Sequence, residues 1–159
     1  MKLLYLGDVM GRAGRAAVAS RLKDLRAAWG VDFCVVNGEN ATSGAGLSAG
    51  HAEALLAAGA DVVVLGDHAF DQKDMLTFCA EEPRIIRPLN FAKGAPGTGA
   101  RLFSDTRGRK VLVAQVMGQV FMKRSFDDPF GTIETALKSY PLGGQAQANL
   151  VDVHCEATR

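Results

Sequence analysis

In the first half of the chain, short apolar runs alternate with stretches of helical period, the pattern of an α/β protein built on a parallel sheet. Lys2 to Leu6 reads as a strand and GDVMGRAGR as a Gly-rich turn. Arg15 to Trp29 then reads as a helix with Val18, Leu22, Leu25 and Trp29 on one stripe, stopped by Gly30. Asp32 to Asn37 is the second strand. It runs into GENATSGAGLSAG, a loop of small polar residues ending at Ser48, which is suited to cap a helix over Ala49 to Ala58. His51 falls in the first turn of that helix, where exposure is expected. The β-branched run Asp61 to Leu65 predicts a strand covered on both faces, followed by GDHAFDQKD and a short helix near Met75 to Ala80.

Beyond Pro83 the pattern changes. RIIRPLNF and the turn-rich KGAPGTG lead to ARLFS and KVLVAQVMG, two strand patterns separated by DTRGR and predicting an antiparallel hairpin, so a mixed sheet is implied. A helix is expected within Asp128 to Tyr140, starting near Pro129 or Thr132, before a last strand over Asn149 to His154. A length of 159 residues fits one domain spanning 1–159, with no repeat or low-complexity tract.

Four of the apolar runs end in residues that bind metals: LLYLGD at Asp8, FCVVNGEN at Glu39 and Asn40, VVVLGDH at Asp67 and His68, and LVDVH at His154. In an open parallel sheet the carboxyl ends of the strands face one crevice, so residues distant in sequence converge there. Three carboxylates in one crevice repel one another and resist desolvation unless cations neutralise them. Asn40 and His154 add amide oxygen and imidazole nitrogen, a donor set that suits Mn, Fe or Zn better than Ca or Mg. With two ions, one oxygen can be activated as nucleophile while a phosphate is clamped. His68, beside such a centre, is placed to give a proton to a leaving alkoxide. Arg12 and Arg15 either reach a phosphate near Asp8 or form a solvated first helical turn.

Composition narrows the partners. A net charge of +1 with 22% charged residues offers no field for bulk nucleic-acid binding, and no apolar stretch reaches membrane-spanning length. The apolar run in MKLLYLGDVMG is too short for a signal segment, so the chain is expected in the cytoplasm, and the three cysteines, Cys34, Cys79 and Cys155, lack CxxC spacing and read as reduced and mostly structural. Cys155 follows His154 on a strand and so points to the opposite face.

Two rival readings are weaker. Gly7, Gly11 and Gly14 invite comparison with a dinucleotide loop, but the spacing differs from GxGxxG and Asp8 would face the pyrophosphate. A phosphoacceptor domain would use Asp8 and Asp67, but only Lys123 offers itself as the lysine at the end of a following strand.

Taken in order, GDVMGRAGR, VVNGENATSGAG, LGDHAFD, RIIRPLNF, APGTG, GQVFM with DDPF, and VDVHCEAT resemble the YmdB-type bacterial metallophosphoesterases along nearly the whole chain. That family is similar in architecture to the calcineurin-like phosphoesterases, which implies a layered α/β/β/α sandwich. It implies hydrolysis of small phosphodiesters, including 2′,3′-cyclic nucleotides, at a di-iron or di-manganese centre. Carried onto matching positions, the resemblance implies that Asp8, Glu39 and Asn40 hold one metal. Glu39 bridges to a second, held by Asp67 and His154, and His68 is the proton donor.

The chain departs from the family's pattern at several points. Asp67 stands where Asn is usual, Phe70 where Trp is usual, and Gln115 and Gln119 replace an Asn and an Arg. The family's Gly-Thr-His-Thr-His segment, which adds a histidine to each metal, has no counterpart: the histidines are His51, His68 and His154. The expectation is therefore a C-terminally truncated sandwich, completed by homo-oligomerisation or by a complementing C-terminal fragment. The alternative is a non-catalytic remnant that binds a nucleotide or a protein partner through the same crevice.

Overall fold

A computed structural model describes residues 1–157. Thr158, the last residue of the VDVHCEAT motif, lies outside the described residues. Four strands, β1 (Leu3–Leu6), β2 (Phe33–Asn37), β3 (Val62–Val64) and β4 (Ile85–Ile86), form an all-parallel sheet in that order. The parallel crossovers are made by α1 (Gly11–Trp29), α2 (Ala49–Ala57) and α3 (Met75–Glu81). A second sheet holds β5 (Ala100–Ser104) antiparallel to β6 (Lys110–Met117), with β7 (Ala148–His154) parallel to β6 on its other side. Between β6 and β7 runs α4 (Pro129–Ser139), capped by the Asp128 carboxylate, which accepts from the Phe130 and Gly131 N–H groups.

The mixed sheet that the sequence implies is thus one of two, and alternation along the strands explains their stacking. Phe33 and Val35 of β2, Val62 and Val64 of β3, and Ile86 of β4 face Val111 and Val113 of β6, with Phe103 and Leu150 alongside. The other face of the parallel sheet carries Cys34, Val36 and Val63, which pack on Val18 and Leu22 of α1 and on Ala52 and Leu55 of α2. With α4 against β6, the layers are helix, sheet, sheet, helix.

Local chemistry accounts for most boundaries. Gly30 ends α1 at φ 61°, and the Ser48 hydroxyl accepts from the His51 N–H to cap α2. α1 begins at Gly11, four residues before its predicted start at Arg15. Two glycines in the first turn disguise it as a loop. Their cost is offset by packing: Gly11 N–H donates to the Asn40 carbonyl, and Gly14 lies so close to Val9 that an added Cβ would sit 3.0 Å from Val9 Cγ1. No described helix is long and apolar enough to cross a membrane.

Candidate metal centre

The register of the parallel strands delivers the crevice. Leu6 pairs with Val36 and Asn37 with Val64, so the segments after β1, β2 and β3 leave the sheet at one level. On the second sheet, Met117 pairs with His154, which brings the end of β7 to the same side. Glu39, Asp67 and His154 meet there, with one ligand atom from each lying within 4.8 Å of the others. His154 Nε2 is 3.1 Å from Glu39 Oε1 and 3.7 Å from Asp67 Oδ1.

Glu39 is the centre of the arrangement. It is only 2% exposed, and its Oε2 is buried without a hydrogen-bond partner. Burial, then the charges of Asp67 and Asp8, push its carboxyl up to about 8, while the facing His68 main-chain N–H pulls the other way. Gly66 makes room for it. A Cβ there would fall 1.5 Å from Glu39 Oε2, so the carboxylate occupies the space of a missing side chain. An orphaned acidic oxygen beside a second carboxylate and an imidazole is a donor set that a transition-metal cation satisfies.

Asp8 and Asn40 stand beside the trio. Asp8 adopts φ 44°, an uncommon conformation for a non-glycine residue, and its Oδ1 accepts from Asn40 Nδ2 at 2.7 Å. The turn is held by Val9 N–H to the Asn37 carbonyl. Asp8 is close enough for its charge to act on Glu39. His68 places Nδ1 2.6 Å from Asp71 Oδ2, and its Nε2 is 3.8 Å from Asp67 Oδ2. Asp71 in turn accepts from Arg124 at 3.1 Å.

The arginines part company. Arg15 donates to the Ala41 carbonyl and so ties α1 to the loop after β2, whereas Arg12 is exposed on the helix surface. His51, expected to be exposed, is half-buried, with Nδ1 2.7 Å from Thr42 Oγ1, and burial followed by the Arg15 charge lowers its pKa. Cys155 turns away from the trio, toward Gly118. Sequence reading missed Asp71 and Asp152, although both stand at telling intervals. Asp71 is one helical step after His68, and Asp152 lies two residues before His154 on the same strand face.

A family model described as YmdB-like protein matches residues 4–159. The chain is 33% identical to a 2′,3′-cyclic-nucleotide 2′-phosphodiesterase of Bacillus subtilis, over 99% of this chain and 58% of that protein. Among solved structures, a hypothetical protein from Thermus thermophilus superposes with a TM-score of 0.89 at 39% identity, over 99% of this chain and 59% of that one. A novel phosphatase of Mycoplasma pneumoniae gives 0.87 at 31% identity, over 99% and 56%. The chain therefore spans less than three fifths of the length of these relatives.

Proposed function

The chain belongs to the YmdB-like protein family, and from that premise we propose that it builds the strand-end part of a metal-dependent phosphodiesterase site for small phosphodiesters, 2′,3′-cyclic nucleotides first among them. The observation that carries this reading is the Glu39 carboxylate, buried, unpartnered at Oε2 and crowded by Asp67 and Asp8. In this reading Asp8, Glu39 and Asn40 would hold one metal and Asp67 and His154 a second, with Glu39 shared between the two. Iron and manganese suit this mixture of oxygen and nitrogen donors. When bound, the metals neutralise the carboxylates and activate the attacking water.

The chain's own residues do the rest. Asp71 takes the Nδ1 side of His68, which leaves Nε2 on the side of Asp67 to protonate the alkoxide oxygen as its bond to phosphorus breaks. Arg12 and Arg15 are assigned a supporting attraction for the phosphate, Arg15 on giving up its bond to Ala41. In this reading further metal donors come from another copy of the chain or from a complementing C-terminal fragment. The free cysteines Cys34, Cys79 and Cys155 fit residence in the reducing cytoplasm. The 1–159 segment is read as one domain.

The test is purification with Mn²⁺ or Fe²⁺, followed by assay of a chromogenic phosphodiester and of 2′,3′-cyclic AMP. Turnover lost in both Glu39→Ala and His68→Ala is the expected result. Substoichiometric metal without turnover rejects the reading. Nucleotide binding that ignores both chelator and Asp8→Asn establishes the non-catalytic alternative instead.

A further inference from the structure

The two carboxylate oxygens of Asp71 have different partners. Oδ2 lies 2.6 Å from His68 Nδ1, while Oδ1 accepts from Arg124 Nη2 at 3.1 Å. Arg124, Asp71 and His68 thus stand in one line, with the carboxylate in the middle. The Asp71 stem is backed by the loop between β2 and α2, since a Cβ on Gly46 would fall 3.2 Å from Asp71 Cβ. The terminal torsion of an aspartate is soft, so a single partner leaves its carboxylate plane free to turn. Separate partners on the two oxygens hold it.

Arg124 reaches Asp71 from the other sheet. It lies 53 residues further along the chain, in the segment between β6 and α4, whereas Asp71 follows β3. Both ends of that segment are pinned by the buried Asn90 side chain, which donates to the Met117 carbonyl at 2.8 Å and to the Asp127 carbonyl at 2.9 Å. Within it, Gln119 Nε2 donates to the Phe126 carbonyl at 3.0 Å. Buried Phe126 meets Phe91 edge-on at 5.1 Å, and Phe91 meets Phe70, two residues after His68, at 5.2 Å. The segment that carries Arg124 is therefore braced against the turn that carries His68. The Arg124 and Asp71 pair is itself partly exposed, and pairs of that kind add little to stability. Its consequence lies in orientation.

We propose that Arg124 is a positioning residue for the phosphodiesterase reaction: by holding Asp71 Oδ1 it fixes the Asp71 carboxylate, and through it the His68 ring, so that Nε2 faces the leaving oxygen. This role rests on the reading of His68 as proton donor for its consequence and on the two hydrogen bonds for its existence. Arg124 acts through Asp71 alone. A proton donor matters most when the departing oxygen is strongly basic, so a ribose alkoxide depends on it while p-nitrophenolate leaves without a proton.

The test compares 2′,3′-cyclic AMP with bis(p-nitrophenyl) phosphate in the Mn²⁺-loaded chain and in Arg124→Gln. The expected result is a kcat ratio, cyclic AMP over chromogenic diester, that falls about 10-fold in the variant. A fall of less than about threefold, against the 10–100-fold scale of such supporting residues, overturns the proposal. So does an equal loss on both substrates, or a rise in KM alone, the result expected if the guanidinium binds the phosphate itself. If the unsubstituted chain turns over neither substrate, or if cyclic AMP turnover survives His68→Ala, the proton-donor reading falls and ¹³C relaxation of the His68 ring in chelated protein decides this one. A ring that is ordered in the unsubstituted chain and loosened by Arg124→Gln upholds the positioning of His68. A ring with the same order in both overturns it.

Discussion

The two ends of the parallel sheet treat their carboxylates in opposite ways. At the amino ends of the strands, each half-buried or buried acid has a cation or several N–H donors. Asp61 meets Arg26 at 2.7 Å and accepts from the Cys34 N–H. Asp32 accepts from the Lys2 N–H and meets Arg109 at 2.9 Å, and both contacts lower its pKa. Burial alone would raise Asp105, but hydrogen bonds from Arg109 and from the Arg107 and Arg109 main chain overcome it. At the carboxyl ends Asp8, Glu39 and Asp67 crowd together, and Glu39 moves the other way, up to about 8. One end is balanced from within the chain. The other has the form of a site balanced by something bound, and that asymmetry is why the strand-end acids are read as ligands rather than as an ordinary ion-pair network.

Glu39→Gln breaks the contrast most severely. It keeps the shape that fills the space over Gly66 but removes the buried charge, so Mn²⁺ affinity should fall by more than the ~100-fold that supporting residues typically command. The same substitution should raise the thermal midpoint of the chelated protein at pH 8, because it relieves repulsion among the acids. Calorimetry and a melt in chelator check the two halves. A variant that loses stability at pH 8 while keeping its affinity would show that Glu39 is a structural acid.

The pH dependence of the metal-free chain is the next largest effect. Glu39 rises from an ordinary value of 4.5 to about 8 in the folded state, so the folded state binds its proton more tightly than the unfolded state does. The stabilising contribution is complete below about pH 4.5 and is lost as the pH rises through about 8. Urea titrations in chelator should therefore give a smaller unfolding free energy at pH 8.5 than at pH 5.5, and Glu39→Gln should flatten that trend. Metal binding below pH 8 should release a proton, so its measured heat should vary with the buffer's ionisation enthalpy.

Arg109→Ala tests the balanced end. Removing the cation that Asp105 and Asp32 share leaves a buried carboxylate short of donors. The thermal midpoint should drop while Mn²⁺ affinity stays unchanged. A fall in affinity would mean that the two ends are coupled through the sheet.

Much of this was legible in the sequence because strands alternate and parallel strands share a direction. The positions of Asp8, Glu39, Asp67 and His154 after apolar runs were enough to foresee one crevice, and the structure brings Glu39, Asp67 and His154 together there. The start of α1 was not legible, since its stability comes from Gly11 and Gly14 packing on residues distant from the helix rather than from propensity. The division into two sheets came from the family resemblance, which implies an α/β/β/α sandwich, and not from the strand patterns themselves, because it depends on which faces of β2 and β6 meet. The partner of Asp152 was not legible either, because only the pairing of β7 with β6 sets it opposite Gln115, whose Nε2 donates to it.

The smallest expected effect is the most discriminating, and it comes from Asp67. Asp67 contributes in two ways at once: its oxygen is a donor near His154, and its charge follows burial as the largest electrostatic cause of the Glu39 shift. Asp67→Asn keeps an oxygen at the same place and removes only the charge. If the charge matters mainly as a field, the pH at which metal-free stability is lost should move below 8, metal affinity should fall by no more than about tenfold, equivalent to about 1.4 kcal/mol, and KM for a phosphodiester should decrease as an anion meets less repulsion. If the charged oxygen is itself indispensable to the second metal, affinity should collapse toward that of Glu39→Gln and KM should not improve. The ratio of the two affinity losses, measured under one buffer and one metal, therefore separates the ligand role of Asp67 from its electrostatic one.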